Sequence, residues 1–377
     1  MNSLKTTLKT LERFKKEFSG LPGTFGGNLA DGLERSGWLK ETTAFGENPG
    51  QLQMLSYTPL GATPHSAVVV VLHGCTQTAE GYASHVGWRE LADRFGFRLL
   101  CPQQTRQNNI NGCFNWFVPE DIARTGGECQ SIHSMIRHMG GTENGKPLIY
   151  VTGLSAGGAM ACAMLASYPE LFAGGSIIAG LPFGAAHDVK SAFAAMHQPK
   201  RTDGKLLGDK IRAASGNNGP WPPVAIWHGA ADMTVVPSNG DELCRQWLDV
   251  HGLEEDDAQV HAGHREWRDA SGAAVVQQFV VERMGHGAPI DSKGENACGS
   301  AAPFVLEAGI SSSLVMAEQW GLTDGGLVGE VLEFARKRET SAWIPDAETS
   351  NAPKLEPRSF IARTIHDALQ KAGLLKR

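Results

Sequence analysis

The run Ala67-Val68-Val69-Val70-Val71-Leu72 has no polar face at any period, so a chain containing it must surround it with apolar material on both sides. It stops at His73-Gly74, and similar short runs recur at 97–101, 148–152, 175–178 and 224–227. Helical periodicity occupies 80–95, 130–139, 157–167, 239–250 and 304–320. Buried strands alternating with helices describe crossover units around a largely parallel sheet, an α/β fold. A further strand is expected at 52–57. Segments 265–268 and 275–283, on either side of the turn at Ser271-Gly272, can form a hairpin at the far edge of the sheet.

The chain has 377 residues, 41% of them hydrophobic, enough to bury one large core. The expected organisation is an N-terminal extension 1–44, one main domain 45–322 and a C-terminal extension 323–377. The stretch 181–221, rich in Gly, Ala and basic residues, interrupts the alternation like a lid. Leu4, Leu8, Leu11, Phe14 and Phe18 recur at helical spacing, with Lys5, Lys9, Arg13, Lys15 and Lys16 largely on the other faces. A basic amphipathic helix is therefore expected at 3–18, and a second helix at 360–374. Such helices can contact their own domain, a second subunit or a polymer granule.

A net charge of -6 lacks the positive field that nucleic-acid binding needs. No run approaches the roughly 18–20 apolar residues of a membrane span. The first residues lead into charge rather than an apolar signal core, so a cytoplasmic location is expected, with an extracellular one as the alternative. The seven cysteines include no C-x-x-C pair and read mainly as buried thiols. Cys113 and Cys129, which flank one loop, are the pair that could bridge in an oxidising compartment. His261 and His264 lack a third ligand at metal spacing, so a polar loop is the better reading, and neither metal nor cofactor is expected.

Gly153-Leu154-Ser155-Ala156-Gly157 follows the apolar run 148–152 and opens a helix of small residues. A nucleophile elbow needs this context: the serine sits in a strained turn, and flanking glycines remove Cβ atoms that would clash there. A serine hydroxyl also needs a base and a group that orients the base. In this arrangement the chain order is Ser, Asp or Glu, then His. Asp232 follows the run 224–227, and His286 follows 275–283, so Ser155, Asp232 and His286 have the required order at strand ends. Asp241 and Asp188 compete with Asp232 but do not directly follow a strand. The amides of Cys75, after His73-Gly74, and of Ala156 are the candidate oxyanion-hole donors.

Together, Leu72-His73-Gly74-Cys75-Thr76-Gln77, Gly112-Cys113-Phe114-Asn115-Trp116-Phe117, Gly153-Leu154-Ser155-Ala156-Gly157-Gly158-Ala159-Met160, Trp227-His228-Gly229-Ala230-Ala231-Asp232 and Met284-Gly285-His286-Gly287-Ala288-Pro289 resemble the polyhydroxybutyrate depolymerase family of esterases. The resemblance runs from about 45 to 322 and includes Pro303-Phe304-Val305-Leu306-Glu307-Ala308-Gly309-Ile310; relatives include feruloyl and acetylxylan esterases. It implies an α/β-hydrolase fold and cofactor-independent ester hydrolysis through an acyl-enzyme, with the roles falling on the residues named above. Short hydroxyalkanoate esters or oligomers are the expected substrates. Feruloyl or acetylxylan esters are the alternative, and a non-catalytic granule-binding or interaction role is the alternative of another class. Trp116, Phe117 and Trp320 are candidate walls of an ester pocket, with core packing as the other reading. Thr76 and Gln77 either contact substrate beside the oxyanion hole or hold the loop.

Overall fold

The structure, a computed structural model, describes residues 37–140, 147–216, 219–261, 263–294 and 296–323. The helices expected at 3–18 and 360–374 lie outside these residues. The run that opens with Val68 becomes β3 (Val68–Leu72), every residue of it buried. Its alternation divides the core. Val68, Val70 and Leu72 face one apolar cluster, while Val69 and Val71 face another on the opposite side of the sheet. Each of these side chains, withdrawn from water, stabilises the fold by roughly 1.5–3 kcal/mol.

Around β3 the strands are β1 (Lys40–Thr42), β2 (Met54–Tyr57), β4 (Arg98–Leu100), β5 (Ile149–Leu154), β6 (Gly174–Ile178), β7 (Val224–Gly229), β8 (Gln259–His261), β9 (His264–Arg268) and β10 (Ala274–Val281). They form one ten-stranded sheet in the order β1-β2-β4-β3-β5-β6-β7-β10-β9-β8. The centre, β4-β3-β5-β6-β7-β10, is parallel, and the strands at both edges are antiparallel. The parallel strands deliver their carboxyl ends to one edge of the sheet, where sites in such folds are built.

The helices are α1 (Ala79–His85), α2 (Trp88–Phe95), α3 (Pro119–Ile122), α4 (Gly127–His138), α5 (Ala156–Ser167), α6 (Val189–His197), α7 (Gly204–Ser215), α8 (Ser238–His251) and α9 (Ser312–Gln319). Residues of α4, α5 and α8 share the core cluster of Val68 and Val70, and residues of α1, α2 and α9 share that of Val69 and Val71. The sheet is thus covered on both faces, as an all-apolar central strand demands.

Several elements differ from expectation. The helix expected at 80–95 is two helices, because Gly87, at φ 91, brings its backbone so close to Cys298 that a Cβ would lie 2.9 Å from the sulfur. The helix expected at 304–320 is shorter: Val305–Glu307 forms β12, parallel to β11 (Ala288–Ile290). Gly309 at φ 67 precedes the helical turn, and the Ser311 side chain caps α9 by accepting from Leu314 N. The edge strand β1 precedes the expected domain start at 45, pairing with β2 from Lys40. The lid-like stretch 181–221 contains α6 and α7, capped by Asp188 and Asp203. Gln246 of α8 donates to Phe183 O and Leu207 O at 3.1 Å each, which fastens the start of that insertion and α7 to the main body.

His251 closes α8 and donates from Nε2 to Pro222 O at 3.3 Å. Burial lowers its pKa from 6.5 to about 4. The unfolded chain therefore binds this proton first as pH falls, so the neutral histidine's contribution is full above about pH 6.5 and is lost as pH falls towards 4. Relative to wild type, His251→Gln should gain about 2–3 kcal/mol between pH 7.5 and pH 4.5. Paired urea denaturation curves check this, and a pH-independent difference would contradict it.

Candidate active site

β5 runs into Ser155, whose φ of 58 and ψ of −117 are unfavourable for a residue with a Cβ. The turn is held by Ser155 N donating to Ile178 O at 2.9 Å and by Ala159 N donating to Ser155 O at 2.9 Å. Two glycines have steric reasons. A Cβ on Gly153 would lie 2.2 Å from Gly157 O, and one on Gly157 would lie 2.3 Å from Leu72 O. The first turn of α5 therefore rests directly on the end of β3.

The loops after β7 and β10 are tied together, with Ala230 N donating to Val281 O and Ala231 N to Met284 O, each at 2.9 Å. Asp232 and His286 meet there. His286 Nδ1 donates to Asp232 Oδ2 at 2.7 Å, and His286 Nε2 lies 2.9 Å from Ser155 Oγ. The carboxylate fixes the tautomer: Nδ1 carries the proton, leaving Nε2 to accept from the serine hydroxyl. Asp232 Oδ1 also accepts from Thr234 N at 2.8 Å and Val235 N at 2.9 Å. Burial raises the Asp232 pKa, but hydrogen bonds from His228, His286 and Val235 outweigh it and hold the carboxyl well below the usual range.

Neither competing aspartate reaches His286. Asp241 pairs with Arg265 at 3.0 Å, and Asp188 caps α6. Sequence reasoning missed His228, buried 3.5 Å from Asp232 Oδ2, whose Nε2 donates to Val235 O at 2.8 Å. Its only sequence signal is its place four residues before Asp232.

Most of the cysteines are buried thiols as expected, but Cys113 is bridged, and to Cys75 rather than to Cys129, the partner that flanks its loop; Cys129 is a buried thiol beside the Met160 sulfur. The bond joins the turn after β3 to the 104–118 loop, whose Cα atoms approach to 4.2 Å at this pair. Thr76 takes φ 65 and donates from its backbone N to Asn111 O at 2.8 Å. Gln77 holds the loop: Oε1 accepts from Gly74 N at 2.9 Å, and Nε2 donates to Pro303 O at 3.1 Å. His73 donates from Nδ1 to Gly74 O and accepts at Nε2 from Gln104 N. Burial lowers its pKa to about 4, keeping it neutral at physiological pH.

A buried glutamate also went unnoticed in the sequence. Glu128 accepts from Asn115 N at 2.8 Å, Gln104 Nε2 at 2.5 Å and Asn108 Nδ2 at 3.1 Å, which fixes the loop carrying Cys113 and Trp116. Trp116 is buried in a cluster with Ala156, Ala159, Leu181 and Val235, and half-buried Phe117 packs edge-on to it at 5.6 Å. Trp320 is a correction. It stacks on Tyr150 at 4.6 Å and Trp88 at 5.8 Å. Tyr150 is five residues, about 16 Å of strand, before Ser155. Trp320 therefore serves core packing at the other end of the sheet.

His261 and His264 stack at 5.8 Å, and no group of three or more metal-type ligands gathers among the described residues. Nor is any described helix long and apolar enough to cross a membrane.

Residues 52–274 match the family described as esterase PHB depolymerase. The chain belongs to that family. The esterase is 40% identical over 291 residues to poly(3-hydroxyalkanoate) depolymerase C of Paucimonas lemoignei, covering 75% of this chain and 70% of that one. It is 30% identical over 268 residues to the acetylxylan esterase of Coprinopsis cinerea, covering 67% and 70%. Among solved structures it resembles the acetyl xylan esterase from Aspergillus awamori with a TM-score of 0.59 and 26% identity, covering 66% of this chain and 93% of that one. The protein is a carboxylic ester hydrolase with an α/β-hydrolase fold.

The strain at Ser155 is measurable. Glycine tolerates a φ of 58 and alanine does not, so Ser155→Gly should be about 1–2 kcal/mol more stable than Ser155→Ala. Thermal or urea unfolding of the two variants checks the sign; equal stability would mean that the elbow is unstrained.

Proposed function

We propose that this esterase hydrolyses short hydroxyalkanoate esters or oligomers through an acyl-enzyme on Ser155. The observation that carries the mechanism is the unbroken chain of hydrogen bonds from Ser155 Oγ through His286 to Asp232. His286 Nε2 takes the hydroxyl proton as Oγ attacks the ester carbonyl, and Asp232 stabilises the imidazolium that forms. The developing oxyanion is met by the amides of Ala156 and Cys75. Ala156 opens α5, so its N–H has no acceptor within the helix and lies at the positive end of the helix dipole. Collapse of the tetrahedral species expels the alcohol, protonated by His286. The same histidine then activates water against the acyl-enzyme.

The apolar cluster containing Trp116, Ala159 and Leu181 beside Ala156 supports an acyl group of short aliphatic character. The name and 40% identity of the Paucimonas lemoignei relative support hydroxyalkanoates, and the acetylxylan esterase relatives keep acetylated xylan as the second reading. The Cys75–Cys113 bond supports an oxidising compartment, and so an extracellular rather than a cytoplasmic location.

The test is hydrolysis of a hydroxybutyrate trimer, p-nitrophenyl butyrate, acetylated xylan and methyl ferulate by wild type, Ser155→Ala, His286→Ala and Asp232→Asn. The trimer should be preferred, and each variant should lose about 10⁴-fold or more in kcat. Preference for acetylated xylan would move the substrate to the second reading. A Ser155→Ala enzyme that kept its rate would remove the acyl-enzyme mechanism.

A further inference from the structure

Phe304 is a bulky residue at φ 63, in the left-handed region that such side chains avoid. Strain of this kind persists only where the surroundings over-determine the conformation, and three contacts do so here. Phe304 O accepts from Ala288 N at 2.9 Å, which anchors it to the segment after His286. Gly287 lies so close that a Cβ there would stand 2.8 Å from Phe304 O. The preceding Pro303 O accepts from Gln77 Nε2, and Gln77 Oε1 accepts from Gly74 N beside Cys75. The turn is thus fastened on one side to the histidine loop and on the other to the loop of Cys75. The Phe304 ring stands edge-on to the His286 imidazole, with centroids 6.0 Å apart at 71°, and is half-buried.

We propose that Phe304 forms the wall of the leaving-alcohol subsite and selects esters by the apolar character of their alcohol. The inference rests on the ester-hydrolysis mechanism above. In acylation the bond from the acyl carbon to the alcohol oxygen breaks as the bond to Ser155 Oγ forms. The proton that His286 took from Oγ passes to the departing oxygen. That oxygen must lie at His286 Nε2, so a ring packed against the imidazole borders the alcohol. The cluster of Trp116, Ala156 and Leu181 is a separate apolar assembly beside the nucleophile, available to the acyl group. An apolar ring at that wall favours an alcohol presenting methyl and methylene groups, as the next unit of a hydroxyalkanoate does.

The experiment measures kcat/KM of the full chain and its Phe304→Gly and Phe304→Leu variants on two ester series. One series holds butyrate and varies the alcohol through methyl, n-butyl and phenyl; the other holds n-butanol and varies the acid through acetate, butyrate and hexanoate. Glycine suits the positive φ and leucine keeps apolar volume, so the two variants test the ring under opposite demands on folding. Phe304→Gly should reduce the preference for butyl and phenyl over methyl about tenfold, Phe304→Leu should retain most of it, and the acyl preference should move less than about twofold. An equal fall for all three alcohols would assign Phe304 to holding His286 and overturn the proposal, as would a shift that follows the acyl chain. Wild type inert towards every ester would overturn the hydrolytic reading together with this one; retained hydrolysis with an unmoved alcohol preference would overturn this one alone.

Discussion

The close seating of α5 on the end of β3 is the constraint on which the site depends. With no Cβ at Gly157, the helix backbone comes within contact of Leu72 O and His73 O, and Gly153 removes the corresponding clash inside the elbow. This approach brings the Ser155 turn beside the loop of Cys75. Ala156 N, at the helix start, and Cys75, at the strand end, are neighbours only because nothing separates α5 from β3. A helix set one side-chain layer higher would leave the serine without a facing loop. The strain at Ser155 is the local cost of that geometry, offset by hydrogen bonds to Ile178 and Ala159 and by complete burial of α5.

A second layer of constraint fixes the loops rather than the nucleophile. The turn after β3 is tied to Asn111 by a backbone bond, to Cys113 by the disulfide and to Pro303 by Gln77. The 104–118 loop is in turn bound to Glu128 of α4 through Asn115, Gln104 and Asn108. Irregular backbone of this kind cannot satisfy its own polar groups, so buried side chains complete its hydrogen bonding. His73 belongs to the same system. Its neutral ring joins Gly74 to Gln104, and hence the turn after β3 to the start of the neighbouring loop.

What could be read in the sequence followed from periodicity and chain order. An uninterrupted β-branched run such as 67–72 has few structural outcomes, and it announced a parallel sheet covered on both faces. Ser155, Asp232 and His286 were found because each follows a strand and because their order is restricted, and the structure brings the three side chains together. Features that depend on three-dimensional proximity alone were not legible. Cys75 and Cys113 are 38 residues apart, and nothing local distinguishes that pairing from Cys113 with Cys129. Trp320 looked like a candidate pocket wall because an aromatic residue suits a pocket and a core equally well; its stacking on Tyr150 decides the matter. In the stretch 304–320, Val305 and Leu306 fit either period, and Gly309 with the Ser311 cap sets the helix start later than the periodicity suggests. Glu128 carried no signal, since a glutamate in the first turn of a helix is ordinarily a solvated one.

Two of the buried acids, Glu128 and Asp232, show how one type of group is given two states. Both lie out of water, and both receive hydrogen bonds from backbone and side-chain donors. Around Asp232 the remaining neighbours are His228 and His286, so every partner favours the carboxylate and its pKa is held low despite burial. Around Glu128 burial acts together with the negative charge of Asp121, which outweighs the donors and pushes its pKa well up. Asp121 is raised to about 6 by burial, with Glu120 adding to the effect. Of these two acids, Asp232 is the one held as a carboxylate, and it lies beneath His286, where an imidazolium has to be stabilised during turnover. The acid that organises the 104–118 loop acts as a hub for Gln104, Asn108 and Asn115, and loop geometry needs no net charge there.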